Sequence, residues 1–313
     1  MNDFNQVDKF YEIIDEACML LYEELDLDYL HAFMRVANDL LEGVNDSKLT
    51  KEALEKLESI YIKMDDQSFS NESIRQALNL ILAKGLKHNG NYPLDLVEPD
   101  SISLLVGNII SHYFRDGVNL FQTNMGLGVQ INAIANFLDI DISLAGQEED
   151  YVLASIAKLS SNLQDNDITV FNNSCIDPLD VSFDCLIGHL ESKVVDAKFI
   201  PYEAITKYMK NLTEDGIFVI TIDNDFFNYD AMSFKNKFTG TLLGLILLPD
   251  NLFSGEKKRS ILVGSKMQLD DYNLFVTALP NLGEGENFVN SIAKIEKWIE
   301  DIKDAVNAKL EEE

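Results

Sequence analysis

The feature that most constrains the fold of this chain is a change in its hydrophobic period near residue 100. Upstream, apolar residues recur at the spacing of an α-helix. The first such stripe consists of Phe10, Ile13, Ile14, Ala17, Leu20 and Leu21. Downstream, short apolar runs alternate with segments of helical period. Strands that alternate with helices are typical of a parallel sheet with helices on both faces. The pattern predicts an all-α N-terminal domain followed by a doubly wound α/β domain.

The domain boundary is placed in the stretch 87–93, which is rich in Asn, Gly and Pro and interrupts the helical pattern. We therefore predict a helical N-terminal domain over residues 1–92 and an α/β domain over residues 93–313 that ends in a C-terminal helix. Asn71 is a candidate N-cap for the last helix of the first domain. Strands of the second domain are predicted at 117–122, 141–145, 167–171, 183–187, 216–222, 242–248 and 259–265. A loop rather than a helix joins the last two, which favours an antiparallel hairpin at the edge of the sheet.

The charge balance argues against unaided binding to nucleic acid. The chain has 25 Lys and Arg against 53 Asp and Glu, a net charge of −28. Affinity for nucleic acid comes largely from Lys and Arg contacts to phosphates. The one dense basic cluster, Lys257, Lys258 and Arg259, is too small to offset the surrounding acidity. A nucleic-acid partner is thus disfavoured, and the acidity itself is explained by solubility.

The expected location is cytoplasmic, without a membrane partner. Cys18, Cys175 and Cys185 form neither a CxxC pair nor a disulfide framework, which favours a reducing compartment. The N-terminus is acidic and amphipathic, unlike a signal peptide. No apolar run reaches the roughly 18 residues that a membrane span needs.

A glycine-containing turn follows the first predicted strand. Gly126 and Gly128 stand between that strand and the helix after it, where glycines let a ligand approach the backbone closely. An ordinary tight turn explains the pair about as well. An acidic cluster, residues 147–150, comes about 20 residues later, after the second strand, where an acid binds ribose hydroxyls in nucleotide-binding sheets. Glu148 is the candidate, and the alternative is an acidic helix N-terminus favoured by the helix dipole.

Three stretches resemble one family. They are Ile74–Gly85 with Glu98-Pro99-Asp100, then Gly126-Leu127-Gly128, and finally Leu248–Phe253 with Lys258–Leu262. Together they resemble the adenine-specific DNA methyltransferases of the type I modification-subunit kind, and within them the YtxK group. The resemblance covers roughly residues 70–270 and implies an α/β fold with a class I S-adenosylmethionine (SAM) methyltransferase sheet, which is Rossmann-like and carries an antiparallel edge hairpin.

The resemblance implies SAM as the cofactor and, by position, Gln122, Asn124, Gly126, Gly128, Glu148 and Ser174 as its contacts. Two positions depart from the family pattern. Gln122 stands where the family has an Asp that helps to hold SAM, and Ser174 stands where it usually has an Asp near the adenine ring.

The family's catalytic Asp/Asn-Pro-Pro-Tyr/Phe tetrad corresponds here to Gly188-His189-Leu190-Glu191. In the family, a side-chain oxygen and a backbone carbonyl accept the amine of a flipped adenine. His189 and Glu191 are the candidate catalytic residues that remain, although chance placement also explains the histidine. No proline and no aromatic residue is present in this stretch.

Two readings of function follow, with a third of lower weight. The chain is a SAM-dependent methyltransferase of the N6-adenine type, or it is a catalytically inactive pseudo-methyltransferase that acts as a SAM- or nucleotide-binding module or as a protein-interaction module. An NAD-dependent oxidoreductase would explain the glycine turn but not residues 248–262. The C-terminal stripe of Ile292, Ile295, Ile299, Ile302 and Val306 fits a helix packed on its own chain or, alternatively, a homodimer or a contact to another protein.

Overall fold

The computed structural model describes residues 3–45, 47–65, 67–177, 179–253, 258–270, 272–281 and 283–312. Its α-helices are α1 Asp3–Leu25, α2 Tyr29–Glu42, α3 Lys51–Asp65, α4 Asn71–Asn89, α5 Asp100–Tyr113, α6 Val129–Phe137, α7 Tyr151–Asn162, α8 Ile200–Tyr208, α9 Ala231–Lys237 and α10 Gly285–Glu312. Its strands are β1 Gly117–Thr123, β2 Asp141–Gln147, β3 Ile168–Phe171, β4 Phe183–Leu190, β5 Val194–Val195, β6 Lys198–Phe199, β7 Leu212–Asp223, β8 Thr241–Leu247, β9 Arg259–Ser265 and β10 Phe275–Ala278.

The chain divides into two compact units, and each includes more than one stretch of sequence. The first contains Met1–Asp100, Met125–Asn136 and Asp150–Val170, and the second contains Ser101–Asn124, Phe137–Glu149 and Phe171–Glu313. The first unit thus combines the N-terminal helices with α7 and most of α6. The boundary at residue 92 stays a prediction about domain organisation.

The helices of the first unit form where the hydrophobic period predicts them. The α1 stripe is buried except at Leu20, which is only partly buried. Helix α4 is capped by Ser70, whose hydroxyl accepts from the Ser73 N–H at 3.2 Å. The expectation of a cap at Asn71 was wrong, because Ser70 has the extended backbone that a cap requires and Asn71 is already helical. Gly90 ends the helix with φ 67°, in the left-handed region.

An eight-stranded sheet forms the α/β part, in the order β10-β8-β9-β7-β4-β1-β2-β3. Strands β1, β2, β4 and β7 are parallel. Their inner members are buried along almost their whole length, which explains why they are continuous apolar runs in the sequence. The parallel α/β architecture predicted from the sequence is therefore confirmed.

Strand β9 is antiparallel to both β7 and β8, so the predicted hairpin is present. One more strand, β10, pairs in parallel with β8, and the hairpin therefore lies one strand inside the edge. Helix α10 packs its apolar stripe within the second unit. Trp298 stacks on Phe275 at 4.6 Å between ring centroids and donates its indole N–H to the Tyr272 hydroxyl at 2.8 Å. Dimerisation through this helix stays a prediction.

Two further features concern the cysteines and the apolar character of the helices. All three cysteines are buried as free thiols. Among the helices of the described residues, none combines the length and apolar character that crossing a membrane requires.

Candidate functional site: the carboxyl edge of the sheet

The carboxyl ends of the parallel strands share one edge of the sheet. Strands β1, β2, β4 and β7 end there at Thr123, Gln147, Leu190 and Asp223. Because β9 runs the other way, its first residue, Arg259, lies at the same edge, opposite Asp223 in the register. Ligands of open α/β sheets bind outside the carboxyl ends of the strands. This edge is therefore the candidate functional site.

The turn after β1 has the backbone that its sequence predicts. Asn124, Gly126 and Gly128 have φ values of 45°, 55° and 73°. The Gly128 N–H donates to the Met125 carbonyl at 3.0 Å, and α6 begins at the next residue. Asparagine and glycine are the residues that adopt this left-handed region most readily.

The two glycines of this turn also lie against other parts of the first unit. A Cβ atom on Gly126 would lie 3.3 Å from Leu96 Cδ2, and one on Gly128 would lie 3.1 Å from Ala157 Cβ. At Gly128 the missing side chain thus lets α7 approach closely. Close packing and backbone freedom together explain the glycine pair, independently of any ligand.

Glu148 follows β2 and is 8% exposed. Its N–H donates to the Phe171 carbonyl at 3.0 Å, and its own carbonyl accepts from Asn172 Nδ2 at 2.9 Å. The backbone of Glu148 is therefore fixed by the residues around the end of β3. Asp150 accepts from the Val152 and Leu153 N–H groups and caps α7, so the helix-terminus reading applies to Asp150 rather than to Glu148.

A buried hydrogen-bond chain ties the ends of β1 and β2 together. The Tyr208 hydroxyl donates to Gln147 Oε1 at 2.7 Å and lies 2.9 Å from Thr123 Oγ1. Gln147 Nε2 in turn donates to the Ser174 carbonyl. Burial raises the pKa of Tyr208 above its ordinary value, so the phenol stays protonated and keeps donating. This chain places Ser174 beside the end of β2.

We expect Tyr208→Phe to lower the free energy of unfolding by about 1 to 2 kcal/mol, because Gln147 Oε1 and the Thr123 hydroxyl lose a buried partner. Urea unfolding followed by circular dichroism measures the loss. Tyr151→Phe is the control, since Tyr151 is 70% exposed and its change should be within about 0.5 kcal/mol of zero. Equal losses in the two variants would contradict this account of the buried chain.

His189 lies within β4 and its side chain is 26% exposed. The His189 carbonyl accepts from Asn124 Nδ2 at 3.2 Å. Its ring Nε2 lies 3.6 Å from Asp223 Oδ1, beyond hydrogen-bond distance, and makes no hydrogen bond within the described part of the chain. Glu191 comes directly after the strand and is exposed.

Asp223 lies beside a second charged group, the guanidinium of Arg259. Its Oδ1 atom is 3.8 Å from Arg259 Nε, and its Oδ2 atom accepts from the Ser192 N–H at 2.8 Å. Arg259 also lies over the ring of Phe253, 5.1 Å from the centroid. The ordinary interpretation of the basic cluster at 257–259 is an exposed turn, and it was wrong for Arg259, which is buried like Asp223. Lys257 of the same basic cluster lies outside the described residues.

The two residues after β7 are engaged in hydrogen bonds between strands. Asn224 Oδ1 accepts from the Ser260 hydroxyl at 2.6 Å, and Asp225 Oδ1 accepts from the Ser192 hydroxyl at 2.5 Å. These contacts fit a structured polar loop. Over the described ranges, no three His, Cys, Asp or Glu side chains are grouped so that they could hold a metal ion.

The predicted site residues are divided between the two units. Gly126 and Gly128 belong to the first unit. The second contains Gln122, Asn124, Glu148, Ser174, His189 and Glu191. Within the second unit, a hydrogen bond joins Asn124 to His189. Gln122 lies on β1 between Gly146 and Ile187 in the register and is 4% exposed. The sequence did not indicate Tyr208 or its contact with Gln147, because this contact joins distant segments. Arg259 lies in a family-like motif and could have been noticed there.

Comparison with known proteins identifies relatives of both parts of the chain. The family model described as the YtxK N-terminal helical domain matches residues 8–86. The protein YtxK of Bacillus subtilis strain 168 is 25% identical over 180 residues, which are 56% of this chain and 54% of YtxK. The chain thus spans about half the length of that relative. The resemblance to the YtxK group seen in the sequence is confirmed.

Solved structures resemble most of the chain. One is a protein from Listeria monocytogenes described as a candidate class I SAM-dependent methyltransferase. The match covers 94% of this chain and 99% of the Listeria chain, with a TM-score of 0.84 and 23% sequence identity. Another is the methyltransferase subunit of a type I restriction-modification system from Streptococcus thermophilus. That match covers 93% of each chain, with a TM-score of 0.55 and 11% sequence identity. The helical region at residues 8–86 thus matches the N-terminal domain of YtxK, and the chain has the fold of the class I SAM-dependent methyltransferases.

Proposed function

We propose that this protein binds SAM at the carboxyl edge of the sheet and no longer methylates adenine. The end of β4 carries the second half of the proposal. At the first tetrad position, Gly188 has no side chain to offer an oxygen. At the second, the His189 carbonyl already accepts from Asn124. The first of the two groups that would accept the amine of a flipped adenine is therefore missing, and the second already has one donor.

The residues at the edge fit SAM in part. Glu148 supplies a carboxylate where this fold binds ribose hydroxyls, and its backbone is held on both sides by β3 and Asn172. Ser174 would border the adenine ring. Gln122 keeps hydrogen-bonding capacity but lacks the negative charge of the family's Asp, which weakens the attraction for the cationic part of SAM. When bound, SAM would supply an activated methyl group.

Isothermal titration with SAM tests the first half of the proposal. We expect saturable binding, and a loss of about 10- to 30-fold in affinity for Glu148→Ala, because a carboxylate that accepts two ribose hydroxyls contributes roughly 1.5 to 2 kcal/mol. Glu214→Ala is the matched control. Its side chain is 79% exposed. The residue lies near the start of β7, at the opposite edge of the sheet.

Absence of heat with SAM at millimolar concentration would overturn the proposal that SAM binds. The second half is tested with radiolabelled SAM and unmethylated DNA. We expect no label in adenine, because the loss of oriented acceptors lowers a rate by about 10² to 10³ for each group. Clear incorporation into adenine would overturn the proposed loss of activity.

A further inference from the structure

A cleft of about 540 Å³ lies at the edge of the sheet opposite the proposed SAM site. Val181 and Ser182 directly precede β4 and form one side of it. Lys207, Lys210 and Asn211 form the other, at the end of α8 and just before β7. The volume is in the range of small-molecule sites, which are about 300 to 1,000 Å³.

Lys207 is a half-buried cation, and the groups around it offset little of its positive charge. Its Nζ donates to the Cys175 carbonyl at 3.2 Å and lies 4.8 Å from the Tyr208 ring centroid, but it forms no ion pair within the described chain. Burial lowers the pKa of Lys207, and the charge of Asp177 opposes that shift only in part. Burial raises the pKa of the neighbouring Cys175 thiol to about 11, so the thiol provides no negative charge near neutral pH. An ammonium group in this setting is stabilised by an anion.

Two further groups of the cleft have unused donors. The side chains of Lys210 and Ser182 make no hydrogen bond or ion pair within the described residues, and both are exposed to the cleft. The wall between them is fixed, because Asn211 Nδ2 donates to the Leu179 and Val181 carbonyls at 3.1 and 2.7 Å. Two lysines and a serine thus line one concave space whose wall is already ordered.

We propose that this cleft binds the phosphate group of a small phosphomonoester. Lysine binds phosphate as a point charge, and Lys207 and Lys210 supply two such charges, with the Ser182 hydroxyl as an additional donor. Ile176 and Leu179 line the same cleft and give an apolar surface for the organic part of the ligand. The residues that line this cleft are different from those assigned to the SAM site.

The charge of Asp180 should affect anion binding in the opposite direction to the charges of the two lysines. Its carboxylate is exposed, lines the same cleft and repels an anion there. Removal of this charge should therefore strengthen binding, while removal of either lysine charge weakens it. A change in stability would not reverse sign in this way between adjacent lining residues.

Isothermal titration of the full chain with phenyl phosphate and with inorganic phosphate, at constant ionic strength, tests the proposal. We expect saturable binding of phenyl phosphate, weakened about tenfold in Lys207→Gln and about threefold in Lys210→Gln, and tightened about twofold in Asp180→Asn, as expected for partly exposed charges. Lys294→Gln, which removes an exposed lysine of α10, should leave binding unchanged.

The pH dependence is the second measurement. Affinity for phenyl phosphate should fall as pH rises through the lowered pKa of Lys207, because the neutral amine no longer attracts the dianion. Failure to saturate with either ligand would overturn the proposal. So would equal binding by the Lys207→Gln and Lys294→Gln variants, since the interaction would then be a general counter-ion effect. Thermal unfolding of each variant shows whether it is folded.

Discussion

Replacing Gly188 by alanine is expected to lower the free energy of unfolding of the second compact unit by about 4 kcal/mol. Gly188 has φ 133°, a conformation that residues with a side chain rarely adopt. A Cβ atom there would lie 2.3 Å from the Thr123 carbonyl oxygen and 2.9 Å from Thr123 Cγ2. Thr123 is paired with Gly188 in the sheet, so relief of the clash requires β1 and β4 to separate.

Two other glycines separate the effect of backbone strain from the effect of the clash with Thr123. Gly90 has φ 67° but open space around its Cβ position, so Gly90→Ala should lose only about 1 kcal/mol through backbone strain. Gly285, in the second unit, has neither a positive φ nor a neighbour, and Gly285→Ala should change stability by less than about 0.5 kcal/mol. Urea unfolding followed by the fluorescence of Trp298, the sole tryptophan, reports on the second unit. Circular dichroism follows the chain as a whole. Similar losses for Gly188→Ala and Gly90→Ala would refute the predicted clash.

The position of Gly188 links this strain to function. By resemblance, it occupies the first position of the stretch that corresponds to the catalytic tetrad of the adenine-specific DNA methyltransferases, where those enzymes have an Asp or Asn. A residue with a side chain could not replace Gly188 without disturbing the pairing of β1 and β4. The backbone at Gly188 therefore does not admit the Asp or Asn of the methyltransferase tetrad, and Gly188→Asn is expected to disrupt the pairing of β1 and β4.

The sheet could be predicted well because its central strands are buried along almost their whole length and are therefore apolar runs in the sequence. Every strand predicted from an apolar run is present. Most strand ends lie within two residues of their predicted positions. Strand β10 was not predicted, because alternate residues are exposed in a four-residue segment at the edge. Helix α8 was also missed, since short apolar runs of this length fit helices and strands equally. The C-terminal helix begins at Gly285, seven residues before Ile292, the first residue of the predicted stripe, because residues 285–290 are exposed or only partly buried.

The candidate site was predictable in position but not in its contacts. The turn at Gly126 and the acid at Glu148 follow their strands, and local sequence order is enough to place them. The contacts of Tyr208 with Thr123 and Gln147 join residues that are 85 and 61 positions apart, and no spacing rule indicates them. The fold could thus be read from local periodicity, whereas the polar chain beneath the edge depends on packing between distant segments.

Replacing Asp223 by alanine is expected to lower the free energy of unfolding by about 3 kcal/mol, the second large effect. Asp223 and Arg259 are 6% and 5% exposed and lie opposite each other on β7 and β9. Removal of the carboxylate leaves the buried guanidinium without the anion opposite it and takes an acceptor from the Ser192 N–H.

A double-mutant cycle distinguishes this pair from two independent residues. Arg259→Met retains the packing against Phe253 but removes the charge. The double variant Asp223→Ala with Arg259→Met should be more stable than the sum of the single losses predicts, by a coupling free energy of about 1.5 to 2 kcal/mol, because neither buried charge is left behind. Urea unfolding with Trp298 fluorescence measures all four proteins. Losses that add within about 0.5 kcal/mol would mean that the two charges stabilise β7 and β9 separately, although they face each other across the ladder.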